Sequence, residues 1–343
     1  MRYPLFYLAA ILVLAACSKK VNSGTATPEE RLNAFFKNTS DFSGVVLIAD
    51  YGKPLYHKAF GYKNFDTKAE MTTSAIFELA SVSKQFTAMT IMLLQEKGKL
   101  NYDDLIDKYI PGLPYPGITI RHLLNHTSGL PDYQEVMDQH WDKSKVAGNT
   151  DNIEYLIKYH PARLFEPGFK YEYSNTGYML LASITENVSG QDFIAFCHAN
   201  IFGPAGLIHT DIRTQQQKAT LSDMAWGHLY VPEKKWYMRA DSFPQFNYAI
   251  WLGNRKGPGR VSSTTSDLLK WDQALYTFVK PQTLQAAFSP ATLTNGSLSQ
   301  YGFGWMLDQH PKLGKVVRHT GDNPGYKTQF IRYIDANKTA IVL

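Results

Sequence analysis

Apolar residues along this chain change their spacing from segment to segment, and the spacing predicts the elements. Residues 5–14 form an unbroken apolar run behind Arg2, too short to span a bilayer comfortably. Thr27-Pro28-Glu29-Glu30 combines an N-cap hydroxyl, a proline at the first helical position and a capping-box glutamate, and predicts a helix reaching about Asn38. Residues 43–49 and 55–60 read as strands around the turn Asp50-Tyr51-Gly52-Lys53. Val82, Phe86, Met89 and Leu93 then recur with the spacing of one buried helix face, and Gly98 is placed to end it. A second helical pattern covers 176–188, with Gly190 to close it. A third covers 265–279, with Ser266 or Asp267 near its start. Residues 102–210 alternate helical patterns with Gly/Pro loops, and 211–260 are irregular and aromatic. The chain ends in three strand patterns, 316–320, 327–334 and 339–343. The sum is an α+β fold: an antiparallel sheet built from both chain ends, flanked by helices, with an all-helical lobe inserted. The α/β lobe would take residues 28–100 and 255–343, and the helical lobe 101–254.

Composition narrows the class. A length of 343 residues leaves room for one large domain or two, and 44% hydrophobic with 19% charged residues describes a globular chain. The net charge of +5 is modest, and no run of Lys or Arg exceeds two residues, which argues against nucleic acid as a partner. Only two cysteines occur, Cys17 and Cys197. Leu14-Ala15-Ala16-Cys17 reads as a bacterial lipobox; the alternative is an ordinary signal peptide with an incidental cysteine. On the lipobox reading, residues 1–16 are removed, Cys17 carries the lipid, 17–27 form a polar tether, and the membrane is a partner through that anchor. Ser18 matches bacterial lipoproteins of the outer membrane facing the periplasm. Cys197 then has no intramolecular partner and, in the apolar pattern 193–202, reads as a packing thiol.

The sharpest chemical signal is Ser81-Val82-Ser83-Lys84, a hydroxyl and an amine three residues apart at the start of the apolar helix. Positions i and i+3 share a face, so the amine reaches the hydroxyl. A serine needs a neighbouring base to act as a nucleophile, and a buried lysine near other cations can supply one. Two further motifs follow in order: Tyr173-Ser174-Asn175, running from a polar loop into a helix, and His319-Thr320-Gly321 at a strand. This ordered set resembles the serine beta-lactamase and penicillin-binding protein superfamily, and most closely its class C branch, which includes D-Ala-D-Ala peptidases and esterases. His126-Thr127-Ser128-Gly129-Leu130, the Phe165–Gly168 turn and Gly259-Arg260-Val261-Ser262-Ser263 agree with it, so the resemblance runs from about Phe42 to the end of the chain.

The resemblance implies roles. Ser81 would be acylated, with Lys84 and Tyr173 sharing the general acid and base work. A Tyr173 phenolate would need Lys84 as its nearby cation. Asn175 would bind the substrate amide and position Lys84. Thr320 and Gly321 would line the substrate site. The backbone N–H groups of Ser81 and Asp322 would form the oxyanion hole. His319 stands where strong beta-lactamases usually carry lysine. As a conditional cation it implies weak or absent beta-lactam hydrolysis, leaving small esters or D-residue peptides and amides as substrates. The Asp322 carboxylate, if it points inward, would further disfavour anions. No cofactor is implied. His122 and His126, four apart, could share a helix face as metal ligands do, but no third ligand is nearby and no metal is assigned. Glu166 is given no deacylation role. The aromatics between Trp236 and Trp251 belong either to the core or to a substrate cleft. Two other activities share the motifs: a non-hydrolytic or slowly acylating protein that binds cell-wall peptides, and an acyltransferase. Related chains usually add a helix after the last strand, so a C-terminal helix is expected to be missing here.

Overall fold

The structure is a computed structural model, and it describes residues 26–38 and 42–343. The leader, Cys17 and nearly all of the tether lie outside the described residues. Helix α1 (Pro28–Asn38) starts as its capping box dictates: Thr27 N donates to Glu30 Oε2 at 2.6 Å, and Glu30 N to Thr27 Oγ1 at 3.2 Å. Strands β1 (Gly44–Asp50) and β2 (Lys53–Phe60) follow. Successive residues of β1 point to opposite faces. Val45, Leu47 and Ala49 enter the main core, whereas Val46 and Ile48 pack with Leu32 and Phe36 of α1.

The chain then leaves the sheet. A short strand β3 (Phe77–Glu78) leads through a 3₁₀ turn, Ala80–Ser83, into helix α2 (Lys84–Glu96). Gly98 ends that region with φ +65°, a conformation that favours glycine. The helical section includes α3 (Tyr133–His140), α4 (Asn149–Tyr159) and α5 (Asn175–Ser189). Helix α5 packs across α2, and every residue from Thr176 to Thr185 is buried. Short strands β4 (Asp211–Ile212) and β5 (Val261–Ser263) complete a small sheet in the order β3-β5-β4. Helix α6 (Thr265–Phe278) follows, capped by Thr264, whose hydroxyl accepts from Asp267 N at 3.1 Å.

The chain returns through β6 (Met306–His310), β7 (Gly314–Asn323), β8 (Tyr326–Tyr333) and β9 (Lys338–Val342). The main sheet is antiparallel throughout, ordered β6-β7-β8-β9-β1-β2, so the chain ends meet where β1 pairs with β9. Helix α6 packs on β1 and β9. Its buried Asp272 takes an ion pair from Arg332 of β8 and a hydrogen bond from Thr339 of β9 at 2.8 Å. This is the α+β architecture expected. Two elements differ. Strand β6 carries Asp308 and Gln309, too polar to read as a strand alone, and forms because β7 supplies its ladder. The section read as irregular contains a hairpin, His228–Val231 with Trp236–Arg239.

The close approach of β7 to the Ser81 turn fixes the site. A Cβ on Gly321 would sit 2.1 Å from Thr328 Oγ1 and 2.2 Å from Leu79 O, so only glycine fits between strand and turn. Gly321→Ala must therefore separate β7 from the turn. The expected cost is about 1–3 kcal/mol, the range for overpacking a filled site, read as a lowered midpoint in denaturant unfolding.

Candidate active site

Ser81 stands at the start of the apolar helix, as the pattern suggested, but in 3₁₀ rather than α winding. It lies in the 3₁₀ turn, and α2 begins only at Lys84. The tighter winding keeps i and i+3 eclipsed, so the pairing survives. Lys84 Nζ is 3.2 Å from Ser81 Oγ. The turn is clamped on both sides. Leu79 N donates to Val261 O at 2.8 Å, Thr328 Oγ1 to Leu79 O at 2.9 Å, and Val261 N to Ser83 Oγ at 3.1 Å. Immediately before the serine, Ala80 holds φ +47°, a left-handed conformation that costs a non-glycine residue of order 1 kcal/mol. Such strain persists only where its surroundings enforce it.

Lys84 is fully buried, and none of its hydrogen-bond partners is a carboxylate. Its other partners are Asn175 Oδ1 at 2.8 Å and the Pro258 carbonyl at 2.9 Å. Both can only accept. A neutral amine has two N–H donors and one lone pair. With those two acceptors on its donors, a neutral Lys84 would turn its lone pair to the serine hydroxyl. Burial holds the Lys84 pKa well below the ordinary lysine value, and the Arg255 guanidinium pushes it further down, with the Asp132 carboxylate opposing them.

Tyr173 brings its ring 4.6 Å under Lys84 Nζ, so the amine meets the ring face. Burial pushes the phenol far above its usual pKa. Of the two candidate bases left open by the sequence, burial therefore disfavours a Tyr173 phenolate. Asn175 is the first residue of α5, placed there by the Ser174 N-cap, whose hydroxyl accepts from Gly177 N at 3.2 Å.

His319 corrects the sequence reading more sharply. It is fully buried, and burial with the nearby Lys84 lowers its pKa to about 3. Nδ1 lies 2.6 Å from the Thr320 carbonyl and so must carry the proton. Nε2 then accepts from the Tyr301 hydroxyl at 2.8 Å. The imidazole is a neutral core group at neutral pH rather than a conditional cation. Thr320 is half-buried, and Gly321 closes on the serine turn. The backbones of Ser81 and Asp322 thus belong to adjoining segments. The Asp322 side chain is exposed and pairs with Lys327, opposite it on β8. Strand β6 pairs only with residues 314–318 of β7, leaving one edge of 319–323 unpaired by strand.

His122 and His126 do not share a helix face, because that helix ends at Leu124. His122 Nδ1 accepts from Thr119 N at 3.1 Å. His126, at φ +58°, accepts from Ser174 N at 3.1 Å and so braces the Tyr173 loop. Glu166 is exposed and pairs with Arg163 at 2.6 Å. Within the aromatic run, Trp251 is core and Phe246 lines a cavity beside Arg255 and Arg260. Sequence reasoning missed Tyr301, Tyr178 and Arg255. Tyr178 lies at helical spacing from Asn175 and could have been placed on its inner face; nothing in the sequence marks the other two.

A serine served by a buried, uncompensated lysine on this sheet-and-helix frame defines the class, a serine hydrolase. Residues 32–343 match the Beta-lactamase family model, and the chain belongs to that family. It is 45% identical over 305 residues to Penicillin-binding protein 4* of Bacillus subtilis (strain 168), covering 88% of this chain and 68% of the relative. It is 24% identical over 304 residues to the D-aminopeptidase of Gluconobacter oxydans (strain 621H), of which it covers 55%, and 88% of this chain is matched. Among solved structures, the penicillin-binding protein from Bacillus halodurans superposes with a TM-score of 0.77 at 25% identity, over 90% of this chain and 92% of that one. The D-amino acid amidase from Ochrobactrum anthropi SV3 gives a TM-score of 0.72 at 24% identity over 89% and 87%, a likeness of fold.

The protonation state of His319 makes stability depend on pH. An unfolded histidine takes a proton near 6.5, whereas the folded one resists until about 3. The unfolded chain therefore binds more protons in this window, and stability present above pH 6.5 is lost as pH falls towards 3. His319→Gln should flatten the fall in Tm between pH 6.5 and 4. An unchanged slope would show that the imidazole is already protonated in the fold.

Proposed function

We propose that the protein hydrolyses small esters, or amides and peptides built on D-residues, through an acyl-enzyme on Ser81. The observation that carries this reading is Lys84, buried and bonded to neutral acceptors, 3.2 Å from Ser81 Oγ. The Lys84 lone pair takes the serine proton as Oγ attacks the carbonyl carbon. The backbone N–H groups of Ser81 and Asp322 receive the oxyanion. Tyr173, a neutral phenol, passes a proton to the departing group while Lys84 resupplies it. Asn175 holds the Lys84 amine and donates through its amide to the substrate. The open edge of β7 at Thr320 and Gly321 aligns the substrate backbone. Water then enters, Lys84 takes its proton, and the ester to Ser81 is cleaved. The D-aminopeptidase among the relatives supports D-residue substrates. Beta-lactams are expected to be poor substrates, because the residue at 319 offers no cation to their carboxylate.

Intact-mass measurement with a fluorophosphonate probe tests the nucleophile. One adduct is expected on the soluble chain lacking residues 1–17, and none on Ser81→Ala. No adduct on a folded sample would sink the hydrolase reading and favour a peptide-binding role. Lys84→Met should lower turnover of an activated ester about a thousandfold while leaving the protein folded.

The lipobox supports a further part of the proposal, attachment to the bacterial envelope through Cys17. Full-length protein should partition into detergent-extracted membranes and Cys17→Ala into the soluble fraction. Equal partitioning would rule the anchor out.

A further inference from the structure

Arg255 and Arg260 stand beside the site without a counter-ion. Among the described residues, neither has a carboxylate within ion-pair distance. Arg255 Nη1 donates to the Tyr133 hydroxyl at 2.5 Å, and its buried Nε has no partner. Arg260 is 6% exposed, its Nη1 reaches only the Ala249 carbonyl at 3.4 Å, and its buried Nη2 has no partner. Unpaired guanidinium N–H groups in the interior are costly and call for an acceptor.

Both side chains line a cavity of about 370 Å³, shared with Asn149, Arg213, Asn254 and Lys256. Both also line a smaller cavity of about 30 Å³ beside Glu78 and Asn323. The carboxylates in these walls are already engaged. Glu186 binds Lys256, Asp151 accepts from Gly148 N, Asp241 binds Arg239, and Glu78 binds Lys218. The positive charge of the arginine pair is left over.

Backbone geometry adds an independent sign. Arg260 holds φ +77°, a left-handed conformation that suits glycine. A strained, buried and unpaired arginine is costly three times over, which points to function rather than support. The pair is also wired to the reaction centre. Arg255 lowers the Lys84 pKa, and it bonds Tyr133, whose N–H donates to Thr176 Oγ1 at 2.9 Å, next to Asn175.

We infer that Arg255 and Arg260 form a subsite for a carboxylate carried by the substrate away from its reacting carbonyl, selecting acyl donors with an acidic terminus. A guanidinium fork suits the bidentate geometry of a carboxylate. The assignment deepens the hydrolase reading and rests on it for turnover, but binding alone tests the subsite.

Two 4-nitrophenyl esters serve as probes: the glutaric monoester, with a free carboxylate, and the valeric ester, of matching length without it. The native site should prefer the glutaryl ester at least tenfold in kcat/KM, and Arg260→Gly and Arg255→Gln should each bring the ratio near one. Binding is read by calorimetry on Ser81→Ala. Glutarate should bind it, valerate should not, and adding Arg260→Gly should abolish the affinity. Arg260→Gly should also raise Tm, because glycine relieves the left-handed strain, whereas a supporting residue would lower it when removed. No preference for the glutaryl ester, or one that survives in both variants, would overturn the inference, as would inorganic phosphate binding where glutarate does not. If no ester is turned over but glutarate binds in an arginine-dependent way, the subsite stands and the hydrolase reading falls.

Discussion

The site depends on taking one amine out of water without giving it a counter-ion. Lys84 lies in the interior between α2, α5 and the 257–258 loop, and every group it touches is neutral. Burying an ammonium in such a place is costly, and burial holds the Lys84 pKa well below its ordinary value. Its neighbours fit that lowered value. Asn175 Oδ1 and the Pro258 carbonyl accept from Lys84, so a neutral amine would turn its lone pair toward Ser81. A carboxylate at either place would restore the charge and remove the base. The partly buried Arg255 works in the same direction from further out.

The frame holds this arrangement by close approach. Gly321 admits β7 against the serine turn. Gly304, at φ +81°, does the same on the other side, where a Cβ would lie 2.9 Å from Lys84 O. The Ala80 strain is sustained by three hydrogen bonds that pin Leu79 and Ser83 to β5 and β8. Behind these, Tyr301, His319, His126 and Tyr178 form a buried polar-aromatic floor, with ring centroids 4.4 Å apart for His126 and Tyr301. The floor sets the dielectric around Tyr173 and Lys84 while offering no charge of its own.

The sequence made some of this legible and hid the rest, for identifiable reasons. Elements with local signals were readable: α1 from its capping box, α2 from its apolar stripe and Gly98, α5 from Gly190, whose φ is +69°. Ser81, Lys84, Tyr173 and Asn175 could be gathered because their motifs are short and ordered. Strand β6 was invisible, since its ladder comes from a partner and its own residues are polar. Protonation was also invisible. His319 reads as a titrating group, and Tyr173 as a possible phenolate, until their burial is known. Arg255 and Arg260 are ordinary surface residues by composition, and only their missing partners mark them. Burial and pairing are tertiary properties that spacing along a chain does not encode.

The pH dependence of acylation tests the central claim most directly. The rate of Ser81 acylation by 4-nitrophenyl acetate would be followed by the burst of 4-nitrophenol from pH 5 to 10, in the native protein and in Lys84→Met. A neutral lysine base predicts a plateau through neutral pH, an acid limb far below the usual lysine range, and loss of both plateau and limb in the variant. A rate that climbs with pH up to ten and is unchanged in Lys84→Met would contradict the account, and would mean that the buried amine keeps its proton.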